Sequence, residues 1–315
     1  MKSSEQNNSS SSRRRFLKGL GATALLPLLP QFAVAKQKSV LHKQATVHKV
    51  LSCNIRVALP EDEAKGVGWP QRKPICIEVI KKQKPHIICL QEVLKVQAED
   101  LKKAFPKFQL LGFDGPEMDA HSEGYHGIAK NPIMYDTSRY ELMNAGGYWL
   151  SETPLVAGSK SWDTARARHA NWVRLKDKTS GKEFRVVNLH LDHVSGKAKI
   201  EGAKLVVDES AQYQPHFPQI LTGDFNTRFD SEVFKAVRAG GWKESYETVH
   251  GEGEAGHTGH EFRGVNYEKA SSKGRIDYIW YRGGVKPTAA AIIKDAVGGK
   301  YPSDHFFLGA ELIIE

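Results

Sequence analysis

Five short segments of the chain carry side chains able to hold a divalent cation and to move protons. They are Ser52-Cys53-Asn54, Leu90-Gln91-Glu92-Val93, Asn188-Leu189-His190-Leu191-Asp192, Thr222-Gly223-Asp224-Phe225-Asn226 and Ser303-Asp304-His305. Each closes a run that reads as a strand, and strand ends facing one way are where α/β folds build sites. Carboxylates, amides and imidazoles in such a set suit hydrolysis assisted by a hard cation, since magnesium prefers a few carboxylates together with water and substrate oxygens. Taken singly, the residues have plainer roles. Asn54 and Asn226 read as turn residues, Glu92 and Asp224 as helix-cap or solvent carboxylates, His190 and His305 as satisfied structural histidines. Their joint occurrence, spread over most of the chain, outweighs those separate readings.

The elements that must position them alternate in type. Strands are predicted at Val47 to Ile55, His86 to Gln91, Ile133 to Tyr135, Ala170 to Lys176, Glu183 to Leu191, Gln219 to Thr222, Arg275 to Tyr281 and Leu308 to Ile314. Helices are predicted at Arg72 to Lys82, Gln97 to Ala104, Lys197 to Ser210 and Ser231 to Ala239, the last with Ser231 as N-cap. Gly112 to Asn131 reads as a long polar loop. This interleaving predicts an α/β or α+β domain whose sheets are covered by helices.

The first 46 residues are of another kind. A Ser/Asn-rich leader runs into Ser12-Arg13-Arg14-Arg15-Phe16-Leu17-Lys18, then an apolar run from Gly19 to Pro30 and the small-residue site Ala33-Val34-Ala35. These are the parts of a secretory signal in order, and the paired arginines resemble the twin-arginine export signal. The expectation is a signal peptide over 1–35, a linker over 36–46 and one domain over 47–315, in a periplasmic or secreted protein that meets the twin-arginine translocase during export. Cleavage after Ala35 removes five basic residues and one acidic one from a chain of formal net charge +9. The mildly basic remainder suits an anionic substrate without implying nucleic-acid binding. Cys53, Cys76 and Cys89 are odd in number and lie in apolar segments, so they read as buried thiols.

The ordered motifs resemble those of the endonuclease/exonuclease/phosphatase superfamily, to which pancreatic-type deoxyribonucleases, abasic-site endonucleases, inositol-polyphosphate 5-phosphatases and bacterial sphingomyelinases belong. Gly147 to Pro154 and Gly158 to Asp163 resemble an exported bacterial subgroup of it. The resemblance implies a four-layered sandwich of two mixed β-sheets flanked by helices, and a metal-dependent hydrolase of phosphate esters. It implies Asn54, Glu92 and Asp304 around the metal, taken as Mg2+ with Mn2+ and Ca2+ as alternatives. Asp224 and Asn226 then orient the attacking water and hold a phosphoryl oxygen. His305 acts as base or electrostatic partner with Asp277 fixing its tautomer, and His190 donates to a phosphoryl or leaving-group oxygen. Arg168 is a candidate phosphate clamp, Asp192 has the strand parity to face the site with His190, and Lys130 is a possible phosphate contact.

The substrate class stays open between a phosphorylated small molecule, a lipid headgroup and a nucleic acid, and a monomer with no stable protein partner is expected. A non-catalytic module that keeps the fold is the remaining alternative. His121, His126, His250, His257 and His260 lack zinc-ligand spacing and read as solvated, substrate-facing loops. Trp149, Trp162 and Trp172 read as core or loop anchors, with Trp162 placed to touch substrate.

Overall fold

The structure is a computed structural model, and it describes residues 46–112, 130–251, 256–269 and 274–315. The leader and most of the predicted polar loop, with His121 and His126, lie outside the described residues.

Twelve strands form two six-stranded sheets. The first sheet has the order β11-β12-β1-β2-β4-β3. Its strands are β1 (Val47–Asn54), β2 (Ile87–Gln91), β3 (Phe108–Leu111), β4 (Ile133–Asp136), β11 (Val285–Ile293) and β12 (Phe307–Ile314). The second has the order β5-β6-β7-β8-β10-β9, built from β5 (Tyr140–Trp149), β6 (His169–Asp177), β7 (Glu183–His190), β8 (Gln219–Asp224), β9 (Lys243–Glu244) and β10 (Asp277–Arg282). Both sheets are mixed: β1 runs parallel to β2 and antiparallel to β12, and β7 runs parallel to β8, which is antiparallel to β10.

Three apolar clusters give the layers. Val50, Ile87, Cys89 and Ile133 of the first sheet meet Val173, Phe184, Val186, Ile220 and Ile279 of the second. Behind the first sheet, Leu51, Cys53, Ile88 and Leu90 pack on α2 (Trp69–Lys82) and α3 (Lys95–Ala104) through Cys76, Val79, Ile80 and Leu101. Behind the second, Val187, Leu189, Leu221, Tyr278 and Trp280 pack on α4 (Gly196–Ser210) and α5 (Glu232–Ala239) through Ala203, Val206, Phe234 and Val237. Helix, sheet, sheet, helix is the four-layered sandwich expected. The Ser231 side chain accepts from Phe234 N and so caps α5 as the sequence predicts. All three cysteines are buried.

Strand alternation converts these layers into a site. In β1 the residues 48, 50, 52 and 54 share the inter-sheet face, because successive side chains point to opposite faces. Along that face the sandwich changes from apolar (Val50, Val186, Ile220) to hydrogen-bonded polar side chains. Gln91 Nε2 donates to Asn188 Oδ1 at 2.7 Å, and Thr222 Oγ1 donates to the same oxygen at 3.1 Å. One alternation further on lie Asn54, His190, Asp224 and Asp277. Each fully buried Val, Leu or Ile contributes about 1.5–3 kcal/mol, so the apolar middle of the face can support a polar end.

Candidate active site

Register fixes the first part of the site. His190 of β7 pairs with Asp224 of β8, and Asp224 pairs in turn with Asp277 of β10, so three ionisable side chains stand side by side on neighbouring strands. Across the sandwich, β1 ends in Asn54 opposite Gln91 of β2, with Glu92 just beyond. Glu92 and Asn226 both turn the chain in the left-handed region, at φ 64° and 49°; this turns the segments sharply just past their strands. The sequence suggests a tight turn at Gly223, but Gly223 is within β8 at φ +148°, where an added Cβ would lie 2.2 Å from the Leu189 carbonyl oxygen. Glycine is required there by the close approach of β7 and β8.

The side chains meet in one cleft of about 240 Å³. Asn54 Nδ2 donates to Glu92 Oε1 at 3.1 Å and to Asp224 Oδ2 at 3.0 Å, and so bridges the two sheets. The other Glu92 oxygen accepts from Val57 N at 2.9 Å. Asp224 Oδ1 accepts from Asn226 N at 2.8 Å, and Asn226 Nδ2 lies 3.0 Å from His190 Nε2. His305 Nδ1 lies 2.9 Å from Asp277 Oδ2, while its Nε2 is 3.9 Å from Asp224 Oδ2. Asp277 opens β10 and His305 stands two residues before β12, so their contact links the two sheets. Thr258 joins them: its Oγ1 accepts from Asp277 N at 3.2 Å and its carbonyl accepts from Phe306 N at 2.8 Å.

Burial raises the Asp224 carboxyl to about 7, with the Asp277 charge adding to it. Asp304 is also raised by burial. For Glu92 burial acts upward but is overcome by the Val57 N–H, the His305 charge and the Asn54 amide, which together lower it. Burial acts downward on His305, yet the charge and hydrogen bond of Asp277 hold it well above the ordinary histidine value. Burial and the Arg168 charge drive His190 the other way. At neutral pH the site therefore contains a protonated His305 and a neutral His190.

A divalent cation fits this donor set. One ligand atom each from Glu92, His190 and Asp224 lies within 4.8 Å of the others, and Asp224, Asp277 and His305 form a second such group. The Glu92 charge opposes ionisation of both Asp224 and Asp304, an effect that a hard cation would relieve. Asn54 turns its amide nitrogen to the carboxylates while its Oδ1 accepts from Arg56 N at 3.0 Å.

Of the eleven residues named from sequence, Glu92, Arg168, His190, Asp224, Asn226, Asp304 and His305 line the cleft, and Asn54 and Asp277 bond directly to lining residues. Asp192 does not line it: its buried carboxylate accepts from Ala165 N, Val194 N and Ser195 N at 3.1, 2.9 and 2.6 Å. Lys130 is bridged through its backbone to Val93 and is also absent from the lining, as is Trp162. His257 and His260 are buried against Phe306, contrary to the expected solvated loop, because their segment pairs with His305 through Gly259. Arg56, Arg166 and His193 line the cleft and were not anticipated. The Arg-x-Arg spacing of Arg166 and Arg168 was a readable signal, since residues two apart in extended chain share a side.

The sequence profile of the Endonuclease/Exonuclease/phosphatase family matches residues 51–305, from within β1 to the last site histidine. The chain belongs to this family. Relatives in this family include hydrolases of phosphate esters. A mannosyl-6-phosphatase from Bacteroides thetaiotaomicron is 31% identical with a TM-score of 0.75, over 84% of this chain and 99% of that one. A second family member from the same organism is 31% identical with a TM-score of 0.75, covering 86% and 99%. Nocturnin of Rattus norvegicus is 27% identical over 271 residues, 78% of this chain, and the match spans 58% of that protein's length.

Proposed function

We propose that the protein is a magnesium-dependent phosphoesterase that hydrolyses a phosphate mono- or diester outside the cytoplasm. The observation that carries this reading is the cleft lined together by Glu92, Asp224 and Asp304, by Arg56, Arg166 and Arg168, and by His190 and His305. Glu92 belongs both to the set named from sequence and to the compact group of donor atoms, so it would hold the cation, with Asp304 and Asn54 beside it. Bound there, magnesium supplies charge neutralisation at a phosphoryl oxygen and at the departing oxygen. Asp224, held by Asn54 Nδ2 and Asn226 N, takes the proton of the attacking water, whose oxygen bonds to phosphorus as the ester oxygen leaves. The Asn226 amide and the imidazolium of His305 hold the phosphoryl oxygens as their charge develops, and Asp277 keeps that imidazolium oriented.

A phosphorylated small molecule is favoured as substrate by the likeness to the mannosyl-6-phosphatase. The nuclease reading rests on membership of the endonuclease/exonuclease/phosphatase family alone. Hydrolysis of a nitrophenyl monoester, a nitrophenyl diester, sugar phosphates, plasmid DNA and sphingomyelin in magnesium tests the reading, followed as nitrophenol, phosphate, nicked DNA or freed headgroup; no turnover of any of them contradicts it. Export is supported by Ser12 to Lys18 and the following apolar run. Arg13→Lys with Arg14→Lys is expected to leave the protein in the cytoplasm, and undiminished periplasmic recovery would show the leader is read otherwise.

A further inference from the structure

One buried carboxylate organises the cationic side of the cleft. Asp192 Oδ1 accepts from Ala165 N, and its Oδ2 accepts from Val194 N and Ser195 N. It thereby ties the segment carrying Arg166 and Arg168 to the turn carrying His193. Ser195 Oγ donates to the Trp162 carbonyl at 2.7 Å and Leu150 N donates to the Arg168 carbonyl at 2.7 Å, so the arginine segment is fastened on both sides. Within it Ala167 is buried while Arg166 and Arg168 alternate with it and line the cleft. His193 Nδ1 lies 3.4 Å from Arg168 Nη2, and Arg168 Nε is buried without a hydrogen-bond partner.

The guanidinium groups of Arg166 and Arg168 both line the cleft, and the charge of Arg168 acts against that of Arg166. Burial and then the Arg168 charge lower Arg166, and burial lowers Arg168. Arg56, the third arginine of the lining, pairs with Asp62 at 2.8 Å and lies 3.4 Å from Asp304. A bound anion would relieve the repulsion between Arg166 and Arg168, and its charge decides how much. A phosphate monoester presents two negative charges and three unesterified oxygens, whereas a diester presents one charge and two such oxygens. Guanidinium forks match the former best, because each can donate two parallel bonds to adjacent phosphoryl oxygens.

We infer that Arg166 and Arg168, held together by Asp192, form a clamp that selects dianionic phosphate monoesters over diesters. Arg166 is the specificity-determining member and Asp192 a positioning residue. This rests on the phosphoesterase reading above and narrows it.

The test uses the full-length protein in magnesium with 4-nitrophenyl phosphate and methyl 4-nitrophenyl phosphate, which share a leaving group and differ by one esterified oxygen. Arg166→Gln is expected to lower kcat/KM for the monoester about tenfold more than for the diester, the size of one charge-assisted contact. Arg166→Lys should recover part of that ratio, because it restores the charge without the fork. Asp192→Asn should shift the ratio in the same direction from outside the cleft. Calorimetric titration with inorganic phosphate gives a second readout without turnover, and Arg166→Gln should weaken binding of the dianion. Equal losses on both esters, with phosphate affinity unchanged, would overturn the inference alone. Turnover of neither ester, nor of any other phosphate ester, by the parent protein would remove the phosphoesterase reading beneath it.

Discussion

The inter-sheet face has a histidine and an aspartate near each end, and the two pairs behave oppositely. At the active-site end, His305 lies 2.9 Å from Asp277, has Asp224 and Asp304 nearby, and is held protonated well above the ordinary histidine range. At the far end His48, on the same face of β1 as Asn54, lies 3.7 Å from Asp177 and accepts or donates at 2.8 Å with the Tyr140 hydroxyl. There burial comes first, the Arg139 charge adds to it, and His48 falls to about 3. Asp177 acts upward but is outweighed by burial and by Arg139, whose guanidinium itself lies 3.7 Å from that carboxylate. The residue types alone decide neither outcome; the count of unneutralised carboxylates around each imidazole does. One end stores charge for chemistry, and the other is a neutral hydrogen-bonded seam between the sheets.

The largest effect should come from removing the charged pair. His305→Ala is expected to lower kcat/KM about a thousandfold, and Asp277→Ala nearly as much, with the double variant close to His305→Ala alone. If the carboxylate acts through the imidazole, little is left for it to do once the ring is gone. A full double-mutant cycle measures this, and additive losses would show that the two side chains work independently.

Stability against pH should separate the two ends by sign. Native His48 stays neutral down to about pH 3 while the unfolded chain binds a proton below about 6.5. Its contribution is therefore complete above about 6.5 and is lost as pH falls toward 3, with a slope of about 1.4 kcal/mol per pH unit between. In metal-free protein His305 tilts the other way: its contribution is complete below about 6.5 and is lost as pH rises toward its elevated native value. Urea unfolding should show that His48→Gln flattens the acid limb and His305→Gln the alkaline one. Identical profiles for parent and variants would contradict the assignment.

The smallest expected change is at the neutral seam. Tyr140→Phe removes the hydroxyl partner of His48 Nδ1 and should cost about 1 kcal/mol, with activity unaltered. A stability loss confined to the parent's error would show that the bond contributes nothing.

The strands were legible in the sequence where both neighbours are strands. Val47–Asn54, Ile87–Gln91, Glu183–His190 and Gln219–Asp224 are interior and rich in β-branched or aliphatic residues. The four strands that escaped, β3, β5, β9 and β11, are the four sheet edges. Edge strands tolerate what an interior strand cannot: β5 carries Asn144-Ala145-Gly146-Gly147 and a register shift at Leu142/Asn144, and β11 carries Pro287 with a shift beside it. Such residues read as turns in a linear pattern. The site followed the same logic. Glu92, His190, Asp224 and His305 stand at strand ends that the pattern could place, whereas Arg166 and His193 lie on loops whose positions depend on Asp192. The role of that carboxylate was hidden because its partners are backbone N–H groups.

The most direct test of the phosphoesterase account compares parent and Glu92→Gln protein in magnesium and after chelation. The parent should release phosphate only with the cation, and magnesium should raise its melting temperature because the ion binds the folded state. Glu92→Gln preserves shape but deletes the carboxylate, so it should lose activity about a thousandfold and lose the magnesium-dependent rise in melting temperature, while remaining folded. Equal activity of variant and parent in magnesium, with the same thermal shift, would contradict the assignment of this cleft as the metal-dependent active site.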